Sequence, residues 1–222
     1  SVGLSLSDAV TYIERYPGNT TNSIDSYMGG YKIGEIWGLE SVGIAKTDAE
    51  MQAHLDKVGG QAAFGNKWAA GDIMYADLDG NPGITEGART LEDHGDWKVI
   101  GNSTPRYFFG IDLSADWKGF DMRCFFQGVM KRDYFQNTGH FWGVYAGTYR
   151  SRGFDVHNDY FRAEPVGLPG HEIPANLDAY YPRPIMNDGT SMNHRTQTRY
   201  LLDASYIRLK NLQLGYILPS AW

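Results

Sequence analysis

The segment 205–219 is the feature that most constrains the fold, because it reads as one long strand that ends at a proline. Its side chains alternate between two faces with the period of two that a β-strand requires. The apolar face carries Leu212, Leu214, Tyr216 and Leu218, and the other face carries Asn211, Gln213, Gly215 and Ile217. Such a strand needs neighbouring strands, and its pattern is typical of a barrel wall that faces lipid.

The segment 106–130 predicts an antiparallel hairpin with the same two-faced pattern. Its apolar rows are Tyr107, Phe109, Ile111, Leu113, Ala115 and Trp117 before the turn, and Phe120, Met122, Cys124 and Phe126 after it. Strands that cross a membrane have about 9–11 residues, an apolar face towards lipid, a polar face towards the lumen and aromatic residues at the interfaces. A soluble antiparallel sandwich uses the same alternation and is commoner, so both architectures stay open on the pattern alone.

The composition is compatible with both architectures. The chain has 222 residues, a net charge of −6, 14% aromatic residues and a mean hydropathy of −0.43. Polar lumen faces and loops dilute the apolar faces of outer-membrane barrels, whereas a membrane helix needs an apolar run of roughly 18 residues that this sequence lacks. The acidic balance and the absence of a Lys/Arg cluster argue against nucleic acid as a partner. Cys124 is the single cysteine, which excludes an internal disulfide.

The predicted fold class is all-β, and on the barrel interpretation the chain is part of a transmembrane antiparallel β-barrel with long extracellular loops carrying short helices. The expected divisions are a strand and loop remnant of the barrel at 1–30, an extracellular loop region at 31–104, the barrel hairpin at 105–130, a long extracellular loop at 131–204, and a barrel strand with a truncated end at 205–222. Thr47 and Glu50 have the spacing of a capping box, which predicts a short helix in the first loop region. Short turns of such barrels are periplasmic, which places the turn 117–119 in the periplasm.

An acidic segment within the first loop region resembles a calcium loop of the EF-hand type. The candidate ligands are Asp77, Asp79, Asn81 and Thr85. Pro82 stands where such a loop has glycine, and Ala88 stands where it has its last acid, so Glu86 is the acid left to reach the ion. A bound calcium would be structural. The alternative is a turn between strands that is rich in Asp, Asn and Gly and holds no ion.

Several motifs, taken in order, resemble the SusC/RagA family of TonB-linked outer-membrane proteins. They are Gly71-Asp72-Ile73 leading into Asp77-Leu78-Asp79-Gly80, the run 99–106, Lys118-Gly119-Phe120-Asp121, Phe125-Phe126-Gln127-Gly128, Tyr181-Pro182-Arg183 and the strand 205–219. The resemblance runs from about Tyr31 to the end and corresponds to the carboxy-terminal half of the family's barrel. Pro82, Ala88 and an inserted stretch at 91–97 depart from the family pattern.

This resemblance implies an outer-membrane nutrient importer. Members of the family are large barrels with an internal plug, a SusD-like surface lipoprotein as lid, and oligosaccharides or peptides as substrates. Energy comes from the TonB complex through an amino-terminal part that this chain lacks. No signal peptide stands at the start, so either it was removed or the chain is an internal piece. Four or five wall strands cannot close a barrel in lipid, so we expect a fragment truncated at both ends.

The long loop at 131–204 is dense in aromatic residues, and loops of this length usually serve a function or are disordered. The candidate residues for substrate or partner contact are Trp142, Tyr145 and Tyr149. Aromatic side chains stack on sugar rings and are also enriched in protein interfaces. Contact with the lid, together with packing of the loop on itself, is the favoured interpretation.

No enzyme is expected from this sequence. Its six histidines lack paired spacing for zinc, and its neighbouring carboxylates in turns do not face each other as in a glycosidase. It has no nucleophile elbow, phosphate-binding loop or dinucleotide fingerprint, and no cofactor besides the possible calcium is required. The alternative to an importer is a soluble all-β glycan-binding module with a calcium-type loop. In that module the row from Tyr107 to Leu113 faces a second sheet, whereas in the importer it faces lipid.

Overall fold

A computed structural model describes residues 1–143, 153–185 and 192–218, and in this part the chain is mostly strands with a few short helices. The strands are β1 (Val2–Ser7), β2 (Glu35–Leu39), β3 (Ser41–Ile44), β4 (Ile73–Tyr75), β5 (Trp97–Asn102), β6 (Arg106–Trp117), β7 (Phe120–Lys131), β8 (Asp133–Phe135), β9 (Leu201–Asp203) and β10 (Tyr206–Tyr216). The helices are α1 (Asp48–Val58) and α2 (Gly139–Trp142), with 3₁₀ turns at Asp155–Asn158 and Thr198–Tyr200. This agrees with the all-β expectation. Across these ranges no helix has the length and apolar character needed to cross a membrane.

The largest sheet is antiparallel and has the strand order β1-β6-β7-β10. The predicted hairpin forms its centre, with Trp117 opposite Phe120 at the closed end. Lys118 and Gly119 make the two-residue turn, with φ of 49° and 89°. Two positive φ values are the mark of a type I′ turn, whose twist suits two long strands.

The outer strands of this sheet come from opposite ends of the described chain. β1 pairs with β6 from Val2 opposite Leu113 to Ser7 opposite Phe108. The predicted strand after Ser205 is β10, and it pairs along nearly its whole length with β7. The strand that the 1–30 remnant contributes is therefore short, and it occupies one edge of the sheet.

The pairing of β10 contains a β-bulge that the alternation did not predict. Leu209 lies opposite Phe126 and Asn211 lies opposite Phe125, so Lys210 is an extra residue in β10. A bulge of this kind reverses the parity of side-chain direction along a strand. Leu209 and Leu212, which a regular strand would place on opposite faces, consequently share one face.

Tyr107 departs from the apolar row predicted for β6. Its φ of 56° is left-handed, and its N–H donates to Oδ1 of Asp8 at 3.3 Å. Arg106 and Phe108 on either side pair with β7, whereas Tyr107 has no partner in the ladder. The predicted row therefore begins at Phe109.

The two long inserts between the sheet strands pack against each other around a shared core. The small sheets β2–β5, β3–β4 and β8–β9 surround this core. Its buried members are Ile24, Met28, Leu39, Val58, Phe64, Ile73, Tyr75, Ile84, Trp97, Trp142, Tyr181 and Tyr200. Residues predicted to lie in separate loop regions, 31–104 and 131–204, thus stabilise each other through apolar burial.

Helix α1 begins at the predicted cap. The Thr47 hydroxyl accepts the Glu50 N–H at 3.1 Å. In a capping box the Glu50 carboxylate would in turn accept the backbone N–H of Thr47. Here it accepts the N–H of the preceding residue, Lys46, at 2.6 Å. The helix continues to Val58 and ends at Gly59, whose φ is 78°.

Candidate functional site

One face of the four-stranded sheet is apolar on every strand. Directly opposed residues in an antiparallel ladder share a face, so the register assigns the face without ambiguity. It comprises Val2, Leu4 and Leu6 of β1, Phe109, Ile111, Leu113, Ala115 and Trp117 of β6, Phe120, Met122, Cys124 and Phe126 of β7, and Ile207, Leu209, Leu212, Leu214 and Tyr216 of β10. We call this set the apolar face.

Much of the apolar face is exposed to solvent in the described structure. Leu4 is 76% exposed and Leu214 is 74% exposed, one on each outer strand. Within the described ranges, β1, β6, β7 and β10 form a sheet by themselves and no second sheet lies over this surface. A contiguous exposed apolar surface of this extent marks an interaction site with lipid or another protein.

The other face of the same sheet is mainly polar or small. Its residues include Ser5 and Ser7, Asp112, Ser114 and Asp116, Asp121, Arg123 and Gln127, and Arg208, Asn211 and Gln213. Arg123 Nε lies 3.8 Å from Oδ1 of Asp112 across the central pair of strands, and both side chains are exposed. The sheet therefore separates an apolar surface from a hydrated one.

Aromatic residues lie at the turn end of the apolar face. Phe120 and Tyr216 are in contact, with ring centroids 4.4 Å apart. The Nζ atom of Lys118 lies 4.9 Å from the centroid of the Trp117 ring, a cation–π distance. A band of this type, apolar on one side and polar at its tip, suits the boundary between hydrocarbon and water.

The predicted calcium loop brings together a different set of acids from the one expected. Oxygens of Asp77, Asp79 and Asp96 lie within 4.8 Å of one another. Asp96 is fully buried, and its carboxylate accepts the N–H groups of Leu78 and Thr85, each at 2.7 Å. The third acid thus comes from beyond the loop, immediately before β5.

The remaining predicted ligands have other contacts. The Asn81 N–H donates to Oδ1 of Asp79 at 2.8 Å, as in a turn rich in Asp and Asn. Thr85 bonds Asp96 through its backbone, and Glu86 points to Arg195 at 2.7 Å instead of reaching the loop. Calcium requires six to eight oxygens. Since three acids supply only part of that shell, the calcium site stays a prediction.

Trp142, one of the predicted contact residues, lies in the core with 4% of its surface exposed. Its ring stacks on His194 at 4.2 Å and meets Tyr200 edge-on at 4.7 Å. Its indole N–H donates to Asn137 at 3.2 Å. The other two predicted contact residues, Tyr145 and Tyr149, lie outside the described residues.

A cavity of about 380 Å³ opens beside this aromatic cluster. Its ring-bearing walls are Trp142, Phe154, His157, Tyr160, Tyr181 and His194. Burial lowers the pKa of His194 from its ordinary value to about 4, so its imidazole is neutral at pH 7. Flat aromatic rings around a small space suit a ligand that stacks.

Two of the sequence motifs meet in a buried clasp next to this cavity. Asp72 is fully buried, and its two carboxylate oxygens accept Nε and Nη2 of Arg183, each at 2.7 Å. Nδ2 of Asn193 donates to the same carboxylate at 2.9 Å. The clasp joins the two long inserts, which gives Gly71-Asp72-Ile73 and Tyr181-Pro182-Arg183 a structural role.

Comparison with known proteins points to one class of receptor. The chain is similar to TonB-dependent receptor P3 of Formosa agariphila, with 29% identity over 198 residues. The match covers 87% of this chain and 16% of the receptor, so the chain spans only a small part of the length of this relative. No protein-family model matches the chain. The similarity supports a relationship to TonB-dependent receptors, while the SusC/RagA subfamily stays a prediction.

Proposed function

We propose that this chain is a wall and loop portion of a TonB-dependent outer-membrane nutrient importer of the SusC/RagA type. The observation that carries the proposal is the apolar face, which is continuous over four antiparallel strands and backed by a polar face. The similarity to a TonB-dependent receptor supports the same assignment. In this role the apolar face contacts lipid, and the polar face lines the lumen of a larger barrel.

The arrangement of the inserts supports an orientation in the membrane. The tight turn at Lys118 and Gly119 closes one end of the sheet, and the inserts pack together at the other end. Since barrels of this class have short periplasmic turns and long extracellular loops, the packed inserts lie outside the cell. The cavity beside Trp142 then faces the exterior, where we place contact with substrate or with a SusD-like lipoprotein.

The proposal assigns transport rather than catalysis to the chain. The substrates are oligosaccharides or peptides, and energy comes from the TonB complex through another part of the importer. A soluble glycan-binding module, the other candidate, needs a second sheet over the apolar face. The high exposure of Leu4 and Leu214 supports the importer over that module.

The proposal is tested directly by measuring which face of the sheet contacts lipid and which face contacts water. In a Cys124→Ala background, Leu113→Cys and Ser114→Cys place thiols on the apolar and polar faces of the same strand. After reconstitution of the whole importer that contains these strands in lipid nanodiscs, we expect a water-soluble maleimide to label the cysteine at 114 and to leave the one at 113 unlabelled. A brominated lipid should quench a fluorophore at 113 only. A monodisperse monomer in plain buffer with both positions equally labelled would contradict the importer.

A further inference from the structure

A second cavity, of about 550 Å³, lies between the segment 13–37 and residues Ser103 and Thr104. Its volume is within the range of small-ligand sites. It is separate from the cavity beside Trp142, and the two have no lining residue in common. The proposed import function assigns no role to it.

The rim of this cavity is fixed to the end of β5. Gly34 has a φ of 83°, and a side chain at this position would run into the side chains of Ser103 and Thr104. The Ser103 N–H donates to the Gly34 carbonyl at 2.8 Å, and the Thr104 hydroxyl donates to the Ile33 carbonyl at 2.9 Å. These bonds hold the residue that follows Gly34, which is Glu35, in a defined position.

Aromatic side chains form much of the wall. Tyr16 and Tyr27 meet edge to face with centroids 5.5 Å apart, and Tyr31 and Trp37 form a tilted pair at 6.5 Å. The electron-rich faces of tyrosine and tryptophan attract cations, most strongly where water is partly excluded. Four such rings around one space favour a cationic ligand over an anionic one.

Glu35 adds a negative charge that is incompletely satisfied. Its Oε1 atom accepts the Lys32 N–H at 3.3 Å, whereas its Oε2 atom is shielded from water and has no hydrogen-bond donor among the described residues. A shielded carboxylate oxygen without a donor is costly, so a rotation of this side chain that brings the oxygen to a donor in the cavity would be favoured.

The other charged side chains near this cavity already have partners of their own or lie against a ring. Asp25, the other carboxylate of the wall, already accepts Nε of Arg89 at 2.7 Å. The Lys32 ammonium lies 6.0 Å from the centroid of the Tyr12 ring. Glu35 is therefore the carboxylate of this wall that remains for an incoming cation.

We propose that this cavity binds an organic cation, a primary ammonium or a guanidinium group, which donates to Glu35 and lies against the faces of the surrounding tyrosines and Trp37. Charge-assisted hydrogen bonds and cation–π contacts act together on such a group. The group belongs to a lysine or arginine side chain or to an amino sugar, which share this chemistry. The proposal does not depend on the import function, because it concerns binding by the chain itself.

Calorimetry with matched probes tests the site. The full chain in detergent is titrated at pH 7.5 with Nα-acetyl-lysine methylamide and with the neutral, nearly isosteric Nα-acetyl-norleucine methylamide, and in parallel with glucosamine and glucose. We expect one charged member of these pairs to bind at least ten-fold more tightly than its neutral counterpart. The pair that discriminates identifies the source of the cation.

Variants locate the binding. Glu35→Gln keeps the side-chain shape and should weaken binding of the charged probe at least ten-fold, whereas Glu164→Gln, an exposed acid elsewhere, should leave it unchanged. Tyr27→Leu removes an exposed ring of the wall and should weaken binding without affecting folding. Equal affinity for charged and neutral probes, absence of binding at millimolar concentration, or unchanged binding in both Glu35→Gln and Tyr27→Leu would overturn the proposal.

Discussion

The Arg183 guanidinium donates two parallel hydrogen bonds of 2.7 Å to the Asp72 carboxylate, although the two residues lie in different inserts. Asp72 is fully buried, whereas the Arg183 side chain is 32% exposed. The two residues therefore differ in what their loss costs in stability. Without the arginine, the negative charge of Asp72 stays buried with no counter-charge, whereas without the aspartate charge the arginine cation still reaches water.

Replacement of Arg183 by Met should therefore destabilise the packed inserts by about 3 kcal/mol, because the buried carboxylate of Asp72 loses its counter-charge. Asp72→Asn should cost less, about 1–2 kcal/mol, since a neutral acceptor remains. Denaturant unfolding followed by near-ultraviolet dichroism measures both free energies. A larger loss for Asp72→Asn than for Arg183→Met would contradict this account of the clasp.

Arginine substitutions distinguish the two faces of the sheet. Ile111 lies on the apolar face opposite Leu4 and Phe126, and Asp112 lies on the polar face. In a lipid bilayer, Ile111→Arg should cost about 2–4 kcal/mol near the midplane, and Asp112→Arg should cost much less because its pair with Arg123 is exposed. Folding yields of the whole importer into vesicles at increasing urea give the two values. Equal costs would refute the facing.

The bulge at Lys210 can be removed without changing any contact residue. Deleting Lys210 restores a regular strand in which Leu209 stays opposite Phe126 and Asn211 stays opposite Phe125, so Ile207 and Leu209 keep their place on the apolar face. We expect hydrogen exchange at 206–209 to be as slow in the deletion variant as in a Lys210→Thr control, because both variants keep the same ladder. Faster exchange at 206–209 in the deletion variant would show that Lys210 is not an extra residue in the pairing of β10.

Buried His194 should make stability depend on pH. Its folded pKa of about 4 lies below the unfolded value of 6.5, so the unfolded chain takes up a proton first as the pH falls. Stability is complete above pH 6.5 and decreases as the pH falls towards 4, by on the order of 2–3 kcal/mol at pH 4.5.

A His194→Phe variant provides the control for this effect, because a phenyl ring retains stacking on Trp142 without titrating. Unfolding free energies at pH 7.5 and 4.5 should differ less in the variant than in the parent chain. An identical pH dependence in both proteins would assign the effect to other groups.

Calcium binding at the acidic loop is testable with terbium, whose luminescence is sensitised by a nearby tryptophan such as Trp97. The predicted site requires saturable luminescence that calcium displaces. Asp79→Asn should reduce the affinity, while Glu92→Gln, a nearby acid outside the cluster, should not. Luminescence that is non-saturable, or equal in both variants, would favour a turn without an ion.

The two faces of the sheet were predictable because side-chain direction in a strand depends on parity alone, as Ile111 and Leu113 illustrate. The reversal at Lys210 was not, since no glycine or proline marks it and it arises from pairing with β7. A prediction by parity therefore holds only between bulges.

The residues that form the candidate sites could not be predicted in full, because they come together through contacts between parts of the chain that are far apart in sequence. Asp96 joins Asp77 and Asp79 through backbone bonds around Thr85, and no loop spacing foretells such an acid. Aromatic density drew attention to Trp142, but its burial against His194 depends on the packing of residues far along the chain.

The tight turn at Lys118 and Gly119 has a kinetic consequence for the sheet. β6 and β7 are neighbours in sequence and pair through this turn. The pairing of β1 with β6 and that of β10 with β7 each join strands separated by a long insert. Distant pairings form more slowly, so the hairpin forms first and serves as the template for the outer strands. Until those strands arrive, its edges are open to other chains. During refolding, intramolecular strand pairing thus competes with aggregation, and the refolding yield should increase as the protein concentration is lowered.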